Sequence, residues 1–330
     1  MTGSYKISVV NATTKYELTI KRNITIIKGN SATGKTVLVN LINDYVLHGP
    51  DSGISLSCDV PCRVINGDIW EDQLKTIHGS IVFIDEGNQF IISDDFAEYV
   101  KAGDNYYVLV TRDHLHNLPF SVDEIYGIKT SGKYGSLEPV YHETYKIYEE
   151  YTHNLPIGDK ISPDQIITED TNSGYEFFST VIESLNSSII CSTAGGKSNI
   201  FNCISASKDQ SVLIIADGAA FGAEMERICD MIRSGSDIHL FLPESFEWLI
   251  LNADIIKDIP RDEIEHAEEY ADSAIYFSWE RYFTRLLTQR TQNTHMAYSK
   301  AHLNNYYKQT AIINRILKNI NGIDFNKSEV

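Results

Sequence analysis

Ile24-Thr25-Ile26-Ile27-Lys28-Gly29-Asn30-Ser31-Ala32-Thr33-Gly34-Lys35-Thr36-Val37-Leu38 is the stretch that decides how this chain is read. A short β-branched apolar run ends at Gly29. From Gly29 to Thr36 every required position of the G-x-x-x-x-G-K-[ST] pattern is filled, and an apolar helical stretch follows over 37–46. Strand before and helix after are the setting in which such a loop works. Glycines let backbone N–H groups wrap phosphates, and the helix N-terminus adds partial positive charge. The pattern predicts a nucleotide-binding loop over Gly29, Asn30, Ser31, Ala32, Thr33, Gly34, Lys35 and Thr36, with ATP and Mg²⁺ as ligands. Lys35 is expected at the β- and γ-phosphates and the Thr36 hydroxyl on the Mg²⁺.

Working outward, residues 6–10 and 16–20 alternate around 11–15 as a hairpin should. Downstream, Ile81-Val82-Phe83-Ile84 ends in Asp85-Glu86, an apolar strand followed by two carboxylates. This is the form of a Walker B motif: Asp85 in the Mg²⁺ shell, Glu86 polarising the attacking water. Lys35 and Glu86 are therefore the expected catalytic residues of an ATP hydrolase. A further strand over 106–111 ends in Thr111-Arg112, the place for a γ-phosphate sensor. The hairpin ahead of the loop resembles the start of ABC-type ATPase domains. Only about fifty residues separate the two motifs, however, and no LSGGQ-like signature lies between them, which argues against a transporter-type arrangement.

Asn, Pro, Gly, Asp and Ser crowd residues 152–163, a candidate boundary. A second α/β series follows, with strands expected over 165–168, 188–191, 211–216 and 237–242 and helices over 173–185, 197–207 and 219–234. Such alternation predicts a small parallel layer whose strand ends share one edge. Acids sit at those ends: Glu169 after the first strand, Asp217 after the third, Glu244 and Glu247 after the fourth. They can converge on a second divalent metal or simply cap helices. Gly196-Lys197-Ser198 is not another phosphate loop, because Cys191 occupies the first glycine position.

The order Glu169, Gly195-Gly196-Lys197, then Asp217-Gly218-Ala219-Ala220-Phe221-Gly222 resembles a Toprim domain. An ATPase fused to Toprim resembles the overcoming-lysogenization-defect (OLD) family and related phage-defence ATPase/Toprim proteins. That resemblance implies a metal-dependent nuclease centre with a D-x-D motif. Ala219 stands where its second Asp is expected, so the resemblance carries over only in part, towards a module used for assembly or sensing. The expected organisation is α/β: a nucleoside-triphosphatase domain over 1–155 with an N-terminal β-hairpin, a Toprim-like parallel α/β domain over 156–258, and a helical extension over 259–330.

Charge and composition set further bounds. A formal net charge of −17 excludes a surface coated for nucleic-acid binding. Residues 244–280 carry eleven acids against Lys257 and Arg261, whereas 281–330 carry eight bases against Asp324 and Glu329. The basic stretch can meet a phosphate backbone, the acidic stretch before it, or another subunit. Its aromatic and aliphatic residues from Trp279 to Ile320 recur at helical spacing and read as a packing face. Five scattered cysteines fit reduced thiols, Cys58 and Cys62 lacking a second pair for zinc. There is no signal-like start and no membrane-length apolar run, so a cytoplasmic protein with no membrane contact is expected. A homo-oligomer or a partner effector protein completes the expected partners.

Overall fold

The computed structural model describes residues 1–29, 33–141, 160–207 and 210–328. The chain divides into two compact units, Met1–Val140 with His266–Ser278, and Tyr141–Glu265 with Trp279–Val330. The boundary expected at 155/156 lies outside the described residues.

The first unit is built on a curled mixed sheet. Its strands are β1 (Tyr5–Val10), β2 (Lys15–Ile20), β3 (Ile24–Ile27), β4 (Ser55–Ser57), β5 (Cys62–Val64), β6 (Ile81–Ile84), β7 (Tyr106–Val110), β8 (Ile125–Ser131) and β9 (Tyr134–Pro139). They run in the order β4-β1-β2-β9-β8-β3-β7-β6-β5. β3, β6 and β7 are buried at every residue, which is why each reads as an unbroken apolar run. β1 and β2 alternate because they pair antiparallel. Their turn is fixed by Asn11 Oδ1, which accepts from Thr13 N at 2.9 Å and Thr14 N at 2.7 Å. Helices α1 (Lys35–His48), α2 (Trp70–Leu74) and α3 (Asp94–Ala102) complete the unit.

His266–Ser278, expected within a helical extension, belongs to this first unit. Gly3 N donates to Glu268 O at 2.6 Å, Ser273 N to Met1 O at 2.8 Å, and Asn23 Nδ2 to Tyr276 O at 3.2 Å. The Met1 ammonium lies 2.9 Å from Asp272.

The second unit holds a parallel sheet of β10 (Gln165–Thr168), β11 (Ile190–Thr193), β12 (Val212–Ile215) and β13 (Ile238–Phe241), ordered β11-β10-β12-β13. Its helices are α4 (Ser173–Ser184), α5 (Lys197–Ala206), α6 (Met225–Arg233), α7 (Phe246–Asn252), α8 (Arg261–Glu265), α9 (Trp279–Thr291) and α10 (Thr310–Leu317). The helix expected from 219 starts only at Met225. Before it, Gly218 N donates to Pro243 O at 2.6 Å and Ala219 N to Glu244 O at 3.2 Å, which ties this segment to the loop after β13 as two 3₁₀ turns. Within the extension expected over 259–330, the α-helices among the described residues are α8, α9 and α10. Tyr282, Phe283, Leu286, Leu287, Tyr298, Leu303, Tyr307, Ile312, Ile313 and Ile316 are buried, as the packing-face reading expects. No helix among the described residues is long and apolar enough to cross a membrane.

One cross-strand contact supports the glycine loop. Tyr16 in β2 faces Gly135 in β9, and its hydroxyl donates to Gly34 O at 3.0 Å. A methyl group at Gly135 would stand 2.5 Å from Tyr16 Cδ1 and 2.6 Å from Cε1. Gly135→Ala is therefore expected to cost about 1–3 kcal/mol by overpacking. The measurement is the urea midpoint at unchanged m-value; an unshifted midpoint would mean that the ring has room to move.

Candidate functional site

Parallel pairing puts the C-terminal ends of β3, β7 and β6 on one edge of the sheet. β7 lies between the other two, so the strand ending in Asp85 is not the hydrogen-bonded neighbour of the strand ending in the glycine loop. Thr111 N donates to Ile27 O at 3.3 Å and carries the β3–β7 pairing to the edge itself.

Gly29 and Gly34 adopt φ of 134° and 88°, which side-chain-bearing residues rarely take. Asn30, Ser31 and Ala32 lie outside the described residues. Gly34 caps α1, and Thr36 stands exposed in its first turn. Lys35 is only 4% exposed; its ammonium bends back to Gly29 O at 2.7 Å and Thr33 Oγ1 at 3.2 Å. Burial holds this ammonium below the usual lysine range, with Glu86 and Asp85 opposing the shift and Arg112 adding to it. Those four side chains thus share one electrostatic neighbourhood.

Glu86 Oε1 is 2.9 Å from Arg112 Nε, with side chains 38% and 51% exposed. At that exposure the pair is worth at most about 1 kcal/mol and opens easily. Asp85 Oδ1 accepts from Glu86 N at 2.8 Å. The buried Thr111 hydroxyl accepts from Asp113 N at 2.9 Å and organises the turn, so of the two sensor candidates Arg112 is the one reaching Glu86. Tyr16, missed in the sequence, anchors the loop through Gly34; nothing distinguishes it from other tyrosines in alternating strands.

The second unit gathers Glu169, Asp217 and Glu247, three of the four expected acids, with Asp170 and Glu280 around Lys300. The Lys300 ammonium lies 2.5 Å from Glu280 Oε1 and 3.8 Å from Asp217 Oδ2. Asp217 Oδ1 also accepts from Phe246 N at 3.1 Å. Glu247 is 1% exposed; one oxygen accepts from Tyr298 Oη at 2.8 Å, while Oε2 finds no hydrogen-bond partner. Glu169 Oε2 is likewise buried and unbonded, with Lys197 Nζ 4.0 Å from its other oxygen. Glu244 enters this region through its backbone carbonyl, which holds Ala219 N. Ala219 is 3% exposed, in close backbone packing where Gly218 has Leu242 O and Pro243 O against it.

Among the described residues, no group of three or more His, Cys, Asp or Glu side chains is placed to hold a metal ion. The Lys300 ammonium, beside Glu280 and Asp217, is a cation already placed among these carboxylates. Five of the tail's eight bases are also engaged inside this unit, Arg290 with Glu263, Lys300 with Glu280, Lys308 with Glu176, Arg315 with Asp254 and Lys327 with Asp164. Arg290, Lys300 and Arg315 pair with the acidic stretch over 244–280, one of the three expected uses, whereas Lys308 and Lys327 pair with Glu176 and Asp164 outside it.

Burial drives Asp217 well above the carboxylate range, helped by Glu280, Glu247 and Glu169 and opposed by Lys300. The folded chain keeps that proton to higher pH than the unfolded chain. Between the two pKa values the unfolded state binds fewer protons, so the Asp217 contribution to stability falls as pH rises. Asp217→Asn is expected to gain stability relative to wild type as pH rises above about pH 4, the range in which an unfolded aspartate ionises, in urea unfolding; a pH-independent difference would contradict the upward shift. Lys300→Met should cost on the order of 1 kcal/mol, discounted for partial exposure, by leaving the half-buried Glu280 and Asp217 carboxylates without their cation. Adding Asp217→Asn should recover part of that loss in a double-mutant cycle, whereas additive losses would separate the two residues.

Comparisons of this chain with protein-family models, with curated proteins and with solved structures find no match.

Proposed function

We propose that the first unit binds a magnesium nucleoside triphosphate on the edge formed by the ends of β3, β7 and β6, and hydrolyses it. The observation that carries this reading is the shared neighbourhood of Lys35, Asp85, Glu86 and Arg112 beside two positive-φ glycines at the start of α1. Backbone N–H groups of the loop and the α1 N-terminus suit phosphate oxygens. Lys35 can exchange the Gly29 carbonyl for the β- and γ-phosphates. The Thr36 hydroxyl and Asp85 carboxylate form the hard-oxygen donor set that Mg²⁺ prefers, and would hold it. When bound, Mg²⁺ neutralises charge on the phosphates.

Arg112 gives the site a built-in order of events. A γ-phosphate competes with Glu86 for the guanidinium. Once released, the Glu86 carboxylate can orient a water molecule and accept its proton. Titration with ATP is expected to show at least tenfold weaker binding by Lys35→Ala, equivalent to about 1.4 kcal/mol. Glu86→Gln should bind comparably yet turn over about a hundredfold more slowly. Unchanged ATP affinity in Lys35→Ala would remove the nucleotide site; equal turnover in wild type and Glu86→Gln would leave a binding switch without hydrolysis.

The second unit is read as a Toprim-like module of the kind the OLD-family resemblance implies, its strand-end acids neutralised from within by Lys300. Buried Ala219 in place of the second motif Asp favours assembly or sensing over strand cleavage. In this reading, nucleotide state governs association with further copies of the chain or with an effector, in a cytoplasmic phage-defence setting.

A further inference from the structure

The two carboxylates at the end of β6 sit on a turn whose ties lead away from the glycine loop. Glu86 N donates to Asp85 Oδ1 at 2.8 Å, so one carboxylate is bonded to the backbone that carries the other. Gly87, at φ 97°, then folds the chain back on itself. This lets the half-buried Asn88 reach the start of its own turn, where Asn88 Nδ2 donates to Asp85 O at 2.9 Å. On its other side, Asn88 Oδ1 accepts from Gly67 N at 3.0 Å, and Nδ2 also reaches Asn66 Oδ1 at 3.4 Å. The partners dictate how the amide lies: a carbonyl needs the nitrogen end, and an N–H needs the oxygen end.

Asn66 and Gly67 belong to the loop after β5. β5 pairs parallel with β6 on the side away from β7, so this loop emerges on the same edge of the sheet. One side chain thus ties the Asp85-Glu86 turn to the next loop along. A second tie joins the same two segments. Trp70, which opens α2, stacks on Phe90, just past Asn88, with ring centroids 5.0 Å apart and planes at 11°. Trp70 is buried and also meets Phe96 and Tyr99 edge-on, at 5.8 Å and 5.4 Å. The loop that receives Asn88 is therefore backed by a packed aromatic group.

We propose that Asn88 is the positioning residue of the β6 turn. Braced on Gly67, it holds the Asp85 carbonyl and with it the placement of the Asp85 and Glu86 carboxylates against Lys35 and Arg112. On the nucleotide reading of this edge, from which the proposal takes the role of the carboxylates, Asn88 acts on turnover and not on affinity. Glu86 must stay within hydrogen-bond reach of a water molecule, and a misplacement of about 1 Å is costly in rate. Affinity comes from the glycine loop and Lys35, which β7 separates from the β6 turn. The side chain has to be Asn because one short group supplies both donor and acceptor. In Asn88→Asp the oxygen facing Gly67 N remains, but a carboxylate oxygen is set against Asp85 O. Asn88→Ala removes both bonds.

The experiment compares the full-length wild type, Asn88→Ala and Asn88→Asp. Amide hydrogen exchange is followed by NMR in nucleotide-free protein, and ATP binding and turnover are measured with Mg²⁺. The Glu86 amide is expected to exchange at least about threefold faster in both variants, and the Gly67 amide faster in Asn88→Ala but not in Asn88→Asp. The Val82 and Phe83 amides, inside β6, should exchange as in wild type. With MgATP, kcat is expected to fall about tenfold in both variants while ATP affinity changes less than about twofold. Unchanged Glu86 exchange, wild-type turnover in Asn88→Asp, or a loss of affinity as large as the loss of kcat would each overturn the proposal. Faster exchange at Val82 and Phe83 as well would also overturn it, since Asn88 would then support the fold rather than the turn. Absence of ATP turnover in wild type would remove the hydrolysis reading, and the exchange at Glu86 and Gly67 would still decide the role of Asn88.

Discussion

Parallel pairing of short, wholly buried strands is the constraint on which both candidate sites rest. β3, β6 and β7 contribute four or five residues each, and every one is out of contact with solvent. A buried Ile, Val or Leu side chain contributes about 1.5–3 kcal/mol, against at most about 1 kcal/mol for an exposed ion pair such as Glu86–Arg112. The apolar strands therefore hold the polar loops in place, and not the reverse. Because the strands are parallel, their following loops must emerge on a common edge. The same rule operates in the second unit, where Glu169 follows β10 and Asp217 follows β12, its immediate neighbour. Gly218 shows how tightly that second edge is packed: a Cβ there would lie 2.5 Å from Leu242 O.

The two edges handle charge in opposite ways. On the first, Glu86 and Arg112 are exposed, so exchanging one partner for a phosphate costs little. On the second, Asp217, Glu247 and Glu280 crowd one ammonium, and burial with the neighbouring carboxylates pushes the Asp217 carboxyl upward. An exposed pair suits a site that opens in each cycle. A half-buried cluster with its own lysine suits a site that keeps one arrangement, since removing either sign leaves the other without its partner.

The sequence makes the runs with strong local signals readable. The β1–β2 hairpin, β3, α1, β6, β7 and the four strands of the second sheet all announce themselves by alternation or by unbroken apolar character. β4 and β5 do not, because three-residue edge strands such as Ser55–Ser57 carry too few residues for any periodicity. The position of β7 between β3 and β6 is also hidden, since strand order depends on long-range pairing that adjacent residues do not encode. Among the site residues, Lys35, Asp85, Glu86 and Arg112 are visible because they follow strands within motifs. Tyr16, Glu280 and Lys300 are not: each reaches its partner across a distance in sequence that no spacing rule covers. The irregular stretch between α9 and α10 misleads a periodicity reading for a related reason. Tyr298 and Tyr307 fall at helical intervals, but they are buried through tertiary contacts, Tyr298 against Glu247 and Ser173, and Tyr307 by donating to Met296 O at 2.7 Å.

The path of the chain supplies one more link between the two kinds of site. His266–Ser278 belongs to the first unit, where it bonds Met1, Gly3 and Asn23, and Asn23 immediately precedes β3. The next residue, Trp279, opens α9 in the second unit, and Glu280 follows it. Glu280 is the acid closest to Lys300. The segment bonded to the strand ahead of the glycine loop thus continues, two residues later, into the carboxylate that fixes the second unit's internal cation.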